Sequence, residues 1–272
     1  MKYSMHKLLR WMRSIQTRKK RRLSRLTTLQ VLDYSASYRH VVNGFITQHP
    51  TREAMSLAVG GNFDAFGVLM HQILVDAGLR DCDYLIDVGC GSGRLARALR
   101  VERYLGTDVV PELLEYARST YSYPGWRFTL VDNLFIPERT GAADMVCFFS
   151  VFTHLLHEDT FRYLEEACRV LKGGGKIVFS FLEFRIGCSW EVFAAAVATR
   201  KRNEYREHTQ FVSRDWIEAC AAHLNLDVEA LYDGDVPHIR VPRHIRLDDG
   251  REYQAGDLTS LGQSVCVLRK RA

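Results

Sequence analysis

The segment Tyr84-Leu-Ile-Asp-Val-Gly-Cys-Gly-Ser-Gly-Arg94 constrains the fold more than any other part of the chain. An apolar run ends in glycines at alternate positions, Gly89, Gly91 and Gly93, and a helix-forming run, Leu95 to Arg100, follows. That order predicts a buried strand, a tight turn without Cβ atoms, then a helix N-terminus. Such a turn lets a nucleotide-like ligand lie against bare backbone. Its anionic part would face amide N–H groups and the positive end of a helix. Asp108 follows on a second apolar run, Tyr104-Leu-Gly-Thr-Asp-Val109, where an acidic side chain can accept hydrogen bonds from both hydroxyls of a ribose.

Two common nucleotide motifs are excluded. The dinucleotide fingerprint G-x-G-x-x-G would need glycine where Arg94 stands. A phosphate loop ending at Gly175-Lys176 would need glycine at Val170 and a hydroxyl at Ile177. What remains is D-x-G-x-G-x-G, formed by Asp87, Gly89, Gly91 and Gly93. It resembles the first motif of the class I S-adenosylmethionine (SAM) methyltransferases, and Asp108 matches the acid of their second.

The rest of the chain extends the resemblance. Trp126 to Asp132, Ala142 to Ser150 and Lys176 to Phe181 read as the third, fourth and fifth strands. A helix is predicted over Asp159 to Leu171, with Gly173-Gly174-Gly175 stopping it. Ser213 to His223 reads as a capped helix. Leu226 to Tyr232 and Ser264 to Lys270 read as the last two strands. The family implies a Rossmann-like α/β sheet, mostly parallel, seven strands with the last antiparallel. An N-terminal helical extension precedes it. In that extension Thr51 begins a short helix ended by Gly60-Gly61. Asp64 reads as the N-cap of the next helix, whose apolar face runs from Phe66 to Ala77. The expected organisation is a basic arm over 1–26, the helical extension over 27–80 and the methyltransferase domain over 81–272. Insertions at 182–212 and 233–262 are expected to face the substrate, because long loops in compact domains are often binding elements.

The resemblance also implies roles for residues. SAM is the implied cofactor. Asp87 and the backbone of Gly89, Cys90, Gly91 and Gly93 would hold its methionine end, although Asp87 could equally cap amides of its own loop. Asp108 would take the ribose hydroxyls, with Val109 against the adenine face. Asp132 would lie near the adenine amino group, with Asn133 and Leu134 closing the ring pocket. Ser150 and Val151 follow the fourth strand, where cofactor and acceptor would meet. His154 is the candidate general base, since a neutral imidazole titrates near working pH. Its competing role is a hydrogen bond to nearby backbone or water. His157 and His238 are weaker candidates, and Glu183, just past the fifth strand, is another acceptor that reads more readily as a solvated loop carboxylate. No metal site is expected, because the seven cysteines form no C-x-x-C pair and no Cys/His cluster has ligand spacing.

The acceptor is bounded by exclusion and by charge. The N-P-P-Y-type turn of methyltransferases acting on amide or exocyclic nitrogen is absent, since this chain reads Phe149-Ser-Val-Phe152. No Pro-Cys nucleophile is present. A small-molecule, lipid-linked or glycan acceptor, methylated at oxygen, is the expectation; the alternatives are an RNA methyltransferase recruited by the basic arm and a non-catalytic SAM-binding scaffold. Residues 1–26 carry ten basic residues and no acid, so with a net charge of +5 for the whole chain the remainder carries about −5. Leu8, Trp11, Met12 and Ile15 lie at helical spacing beside that charge. A basic amphipathic segment suits an anionic membrane surface. An RNA-binding arm and a merely solubilising tail are the rival readings. No signal-peptide core and no run approaching about 20 apolar residues is present. The expected place is therefore the cytoplasm, with possible membrane association on its cytoplasmic face.

Overall fold

A computed structural model of the chain describes residues 34–202 and 209–272. The basic arm over 1–26 and the first residues of the expected helical extension, 27–33, lie outside the described residues. Three helices open the described chain: α1 (Tyr34–Gln48), α2 (Thr51–Ala58) and α3 (Phe63–Asp76). Helix α3 carries the expected apolar face, with Leu69, Met70, Ile73 and Leu74 buried. Its N-cap is Asn62 in the left-handed conformation rather than Asp64. Asp64 lies within the first turn and pairs with Arg97 at 2.8 Å and Arg52 at 3.6 Å.

Strands β1 (Tyr84–Val88), β2 (Arg103–Asp108), β3 (Trp126–Leu130), β4 (Ala143–Phe148) and β5 (Leu171–Phe181) run parallel. Helices α4 (Pro111–Thr120) and α5 (His157–Val170) lie between them in sequence. Then follow α6 (Gly187–Lys201), α7 (Arg214–His223) and β6 (Leu226–Tyr232). Four two-residue strands come next: β7 (Ile239–Arg240), β8 (Ile245–Arg246), β9 (Glu252–Tyr253) and β10 (Leu258–Thr259). The chain closes on β11 (Ser264–Lys270). The main sheet has seven strands in the order β3-β2-β1-β4-β5-β11-β6, with β11 antiparallel to both neighbours. This is the expected seven-stranded sheet. The strand order reverses between β1 and β4, so their carboxyl ends flank the crevice where open α/β sheets bind ligands.

Alternation along the strands fills both faces. Leu85, Tyr104, Met145, Val178 and Val267 pack beneath α3. Ile86, Leu105, Val146, Phe179 and Leu268 pack against α5 and α7 through Leu164, Ala167 and Ile217. The segment 233–262 contributes Ile239, Val241, Ile245 and Leu247 to the α3 side of the core. Much of it is therefore packing.

Two turns differ from the sequence reading. The run after Gly93 forms only a 3-10 turn, Ala96–Ala98, and Leu99 is already extended with ψ 156°. Six residues are too few to offset helix nucleation, so the glycine turn faces no helix dipole. The second concerns Gly173–Gly175. Helix α5 ends before them, at Val170, and they lie inside β5. Ala143 pairs with Leu171 while Met145 pairs with Lys176, so residues 172–175 bulge from the ladder.

Candidate active site

The glycine turn is built on positive backbone angles: φ is +75° at Gly89, +55° at Gly91 and +87° at Gly93. Gly89 and Cys90 donate their N–H groups to the Thr107 carbonyl at 2.7 and 2.9 Å. This ties the turn to the end of β2. Asp108 completes the tie. Its Oδ2 accepts the Gly91 N–H at 2.8 Å, and its Oδ1 accepts the Val110 N–H at 2.9 Å. Burial pushes the Asp108 carboxyl up from its ordinary value, while the N–H donors of Val110, Gly91 and Val109 oppose that shift. Val109 is half-buried and packs beside Val110 and Leu113 against the first two helices, in a cluster with Val42, Met55 and Ala58.

Helix α2 sits over the turn. Ser92 Oγ donates to the Met55 carbonyl at 2.8 Å, and a Cβ at Gly91 would lie 2.6 Å from Val59 Cγ1. Val151 approaches from the other side, where a Cβ at Gly89 would lie 2.4 Å from its Cγ2.

Asp87 turns away from this surface. It is 3% exposed, and its oxygens accept from Tyr104 Oη at 2.8 Å and Cys147 Sγ at 3.5 Å. Burial raises its pKa to about 6 against the pull of those two donors. Among the described residues its hydrogen-bond donors are thus side chains of the neighbouring strands, and none is an amide of its own loop. Cys90 is buried on the same face, and burial raises its thiol well above the ordinary value.

Asp132 and Asn133 are exposed after β3, and Leu134 is half-buried. Tyr163 Oη donates to the Asn133 carbonyl at 3.4 Å. Asn133 and Leu134 border a surface groove whose other walls are Phe135, Arg162, Glu165 and Glu166.

The end of β4 is strained. Ser150 has φ +59°, which is left-handed and uncommon for a residue with a side chain. A closed ring of hydrogen bonds holds it. The Ser150 N–H donates to Ser180 Oγ at 2.8 Å, and that hydroxyl donates to Gln263 Oε1 at 2.7 Å. Gln263 Nε2 then donates to Ser150 Oγ at 3.0 Å. His154 lies one turn on, with its N–H on the Val151 carbonyl at 3.0 Å. Its ring is 5.9 Å from that of Tyr38 on α1.

Sequence reading missed Gln263 and misjudged Glu183. Glu183 is 2% exposed. It accepts from Arg214 Nη2 at 2.8 Å and Nε at 3.0 Å, and from Ser264 Oγ. Arg214 also donates to Asp233, which pairs with Arg185 at 3.6 Å. His157 and His238 fall elsewhere. His157 Nδ1 lies 2.9 Å from Gln210 Nε2, and the His238 ring stacks on Tyr232 at 4.7 Å.

The arrangement brings a bare backbone turn, a buried carboxylate, a strained serine and an imidazole to neighbouring strand ends. Comparison with known proteins agrees with that reading. Residues 86–179 match a family model described as a methyltransferase domain. A malonyl-[acyl-carrier protein] O-methyltransferase of Hahella chejuensis is 26% identical over 147 residues, covering 51% of this chain and 52% of that protein. A probable tRNA methyltransferase 9B of Bos taurus is 30% identical over 95 residues, covering 35% of this chain and 20% of that protein. The chain thus spans about half, or less, of these curated relatives. Two solved structures share the fold. One is a chain of the complex between the Haloferax volcanii Trm112 methyltransferase activator and the putative methyltransferase. It has a TM-score of 0.58 at 18% identity, covering 89% of this chain and 98% of that one. The other is a SAM-dependent methyltransferase of Anabaena variabilis, with a TM-score of 0.56 at 16% identity over 90% and 99%.

Proposed function

Since residues 86–179 place the chain in the class I SAM-dependent methyltransferase family, with SAM as its cofactor, we propose that it methylates an oxygen of a small-molecule, lipid-linked or glycan acceptor. One observation carries the reading: Gly89–Gly93, Asp108, Ser150 and His154 lie at or just past the carboxyl ends of β1, β2 and β4, beside the point where strand order reverses. The residues present fit the cofactor. Gly89 is exposed at the end of β1, while the absence of a Cβ at all three glycines lets Val151, Val59 and Tyr121 close on the turn. Each Asp108 oxygen already takes one backbone N–H, and a carboxylate oxygen has room for a second donor such as a ribose hydroxyl. Val109, Asp132, Asn133 and Leu134 would border the adenine, and the backbone of Gly89, Cys90, Gly91 and Gly93 would line the methionine end. Asp87 supports that loop from behind, through Tyr104 and Cys147.

When bound, SAM supplies a methyl group on a positively charged sulfur, already electrophilic. The chain then has two tasks: alignment of the acceptor oxygen and removal of its proton. The ring of Ser150, Ser180 and Gln263 fixes the end of β4, and Val151 packs against Gly89, which stays exposed. His154 would take the proton. The oxygen assignment is supported by the missing N-P-P-Y-type turn and by the O-methyltransferase name of the Hahella relative. The acidic globular part and the basic residues of 1–26 favour an acceptor met at an anionic surface on the cytoplasmic face. The rival acceptor is RNA, which the arm and the tRNA methyltransferase relative favour.

The test pairs the protein and SAM with separate pools of glycans, lipid-linked sugars, small hydroxyl compounds and tRNA, and looks for product one methyl heavier. The His154→Ala variant on the identified acceptor should lose about 10²–10⁴-fold in kcat with SAM affinity unchanged. Product confined to tRNA would overturn the acceptor reading. A variant within about threefold of wild type across the pH range would remove His154 as the base.

A further inference from the structure

Helix α6 is apolar and yet almost uncovered. Nine of its fifteen residues are Cys, Trp, Val, Phe or Ala, and Glu191 is its one acid. A helix apolar on every side normally sits inside a protein core or a membrane. In α6 only Ser189 and Thr199 are buried. Trp190 is 56% exposed and Val192 41% exposed, with Ala194 and Ala195 exposed beside them. Just before the helix, Phe184 is 53% exposed. Its ring stacks on Phe211 at 4.4 Å and meets Phe193 edge-on at 5.2 Å, and Trp190 lies 5.2 Å from Phe193. Four rings thus form one patch, of which Phe211 alone is buried. An exposed apolar patch of this kind marks a contact with something else.

Charge and place narrow what covers it. The last turn of α6 carries Arg200 and Lys201. At helical spacing Trp190, Ala194, Val197 and Lys201 share one stripe, so the aromatic end runs into a cation. The chain after α6 returns to the strand ends described above. The Gln210 N–H donates to the Thr153 carbonyl at 2.7 Å, next to His154, and the Val212 N–H donates to the Leu182 carbonyl at 2.8 Å. Residues 1–26 carry ten basic residues and no acid, so they repel the basic end of α6 rather than complement it. One anionic surface answers both. Aromatic rings beside cations suit the headgroup region of a bilayer, where a ring is half in apolar surroundings and a cation meets phosphate. At about 1.5 Å per residue α6 is about 22 Å long, short of the roughly 30 Å hydrocarbon core, so it would lie along the surface and not across it.

We propose that α6 rests in the interface of an anionic bilayer, with Trp190 and Phe184 among the headgroups and Arg200 and Lys201 on their phosphates. The inference rests on the anionic-surface reading above and deepens it: a folded element, besides the arm, holds the acceptor edge of the sheet against the membrane. Its rival is a second copy of the chain covering the same patch.

The probe is a vesicle of phosphatidylcholine and phosphatidylserine with brominated acyl chains, which quench an indole that reaches them. Trp190 is the exposed tryptophan among the described residues, and Trp11→Phe in the full chain silences the one in the arm. That protein should lose fluorescence on the vesicles, and adding Trp190→Phe should abolish the loss. In vesicle flotation Trp190→Ser should weaken binding about 3–10-fold, as for re-exposing half of a large apolar side chain. Its affinity for S-adenosylhomocysteine should stay within about twofold of wild type, because α6 lies outside the cofactor site. Should Trp190→Ser fail to unfold cooperatively, the quenching result decides, since Trp190→Phe keeps an aromatic ring. Vesicle binding with Trp190 unquenched, or with Trp190→Ser unchanged, would overturn the proposal and leave the surface reading to the arm. A wild-type chain that binds no vesicles would overturn both. A Trp190-dependent dimer in sedimentation without lipid would make the second copy the cover, and would overturn the proposal as well.

Discussion

The carboxyl edge of the sheet has two halves, and they are assembled differently. The half proposed to hold the cofactor comes from one short stretch: Gly89 to Gly93 tied to Thr107 and Asp108 by backbone N–H groups. The half proposed to face the acceptor is gathered from distant connections. Ser150, Ser180 and Gln263 close one ring, and Glu183, Arg214, Asp233 and Ser264 close a second. The first half places Asp87 and Arg94 in the interior without pairing them. The second half pairs its charges side chain to side chain. Under the proposed function, the first half would leave charges for a charged ligand to answer, whereas the second answers its own.

The largest expected effect lies in the paired half. Arg214→Ala removes the partner of Glu183, which is 2% exposed, and leaves that carboxylate buried with one hydroxyl donor, from Ser264. Breaking a buried pair from one side typically costs about 3–5 kcal/mol, and the variant should lose close to the lower end, because the Arg214 side chain is 22% exposed. Urea unfolding measures this. A loss below about 1 kcal/mol would show the pair behaving as a surface salt bridge. The two halves would then not differ in the way described.

The second effect lies in the unpaired half and appears only as a function of pH. The Asp87 pKa rises from 3.8 to about 6 on folding, because burial outweighs its two donors. Between those values the unfolded chain has lost a proton that the folded chain still holds. Stability from this group therefore falls as pH rises from about 4 to about 6, and stays lowered above that. Asp87→Asn does not titrate. Its stability relative to wild type should climb across that window by up to about 3 kcal/mol. Urea unfolding at several pH values from 4 to 7 checks it. Parallel profiles for the two proteins would mean that Tyr104 and Cys147 fully compensate the carboxylate, and the contrast with Glu183 would disappear.

The same division decides what could be read from the sequence. Strands β6 and β11 fall where alternation and flanking residues place them, at Leu226–Tyr232 and Ser264–Lys270. The glycine turn and Asp108 are legible because their contacts span few residues, so spacing alone encodes them. Glu183 misleads because burial comes from Arg214, which approaches from 31 residues away. Gln263 carries no local signal at all; its partner Ser150 is 113 residues distant. The run Leu95 to Arg100 misleads in another way. Its composition favours a helix, but the chain is extended again by Leu99. Local propensity cannot supply the nucleation cost over so short a span.

The smallest effect probes the seam between the glycine turn and α2. Gly91 has φ +55°, and a Cβ there would stand 2.6 Å from Val59 Cγ1, a contact that requires something to shift. Gly91→Ala therefore has two costs. One is the left-handed backbone, about 1–2 kcal/mol for a residue with a side chain. The other is the displaced Val59 methyl, which sits at the end of α2 and is half-buried, so it can move. Val59→Ala removes that methyl and should leave only the backbone cost. A double-mutant cycle should thus return a coupling of about 1 kcal/mol between the two positions, in the range seen for residues in contact. If the cycle is additive, α2 does not bear on the turn, and its cover over the cofactor half is looser than the Ser92–Met55 hydrogen bond implies. If coupling is found and Gly91→Ala also weakens S-adenosylhomocysteine binding in the Val59→Ala background, the glycine serves the ligand as well as the helix. Both roles then meet at one Cβ position, which only glycine satisfies.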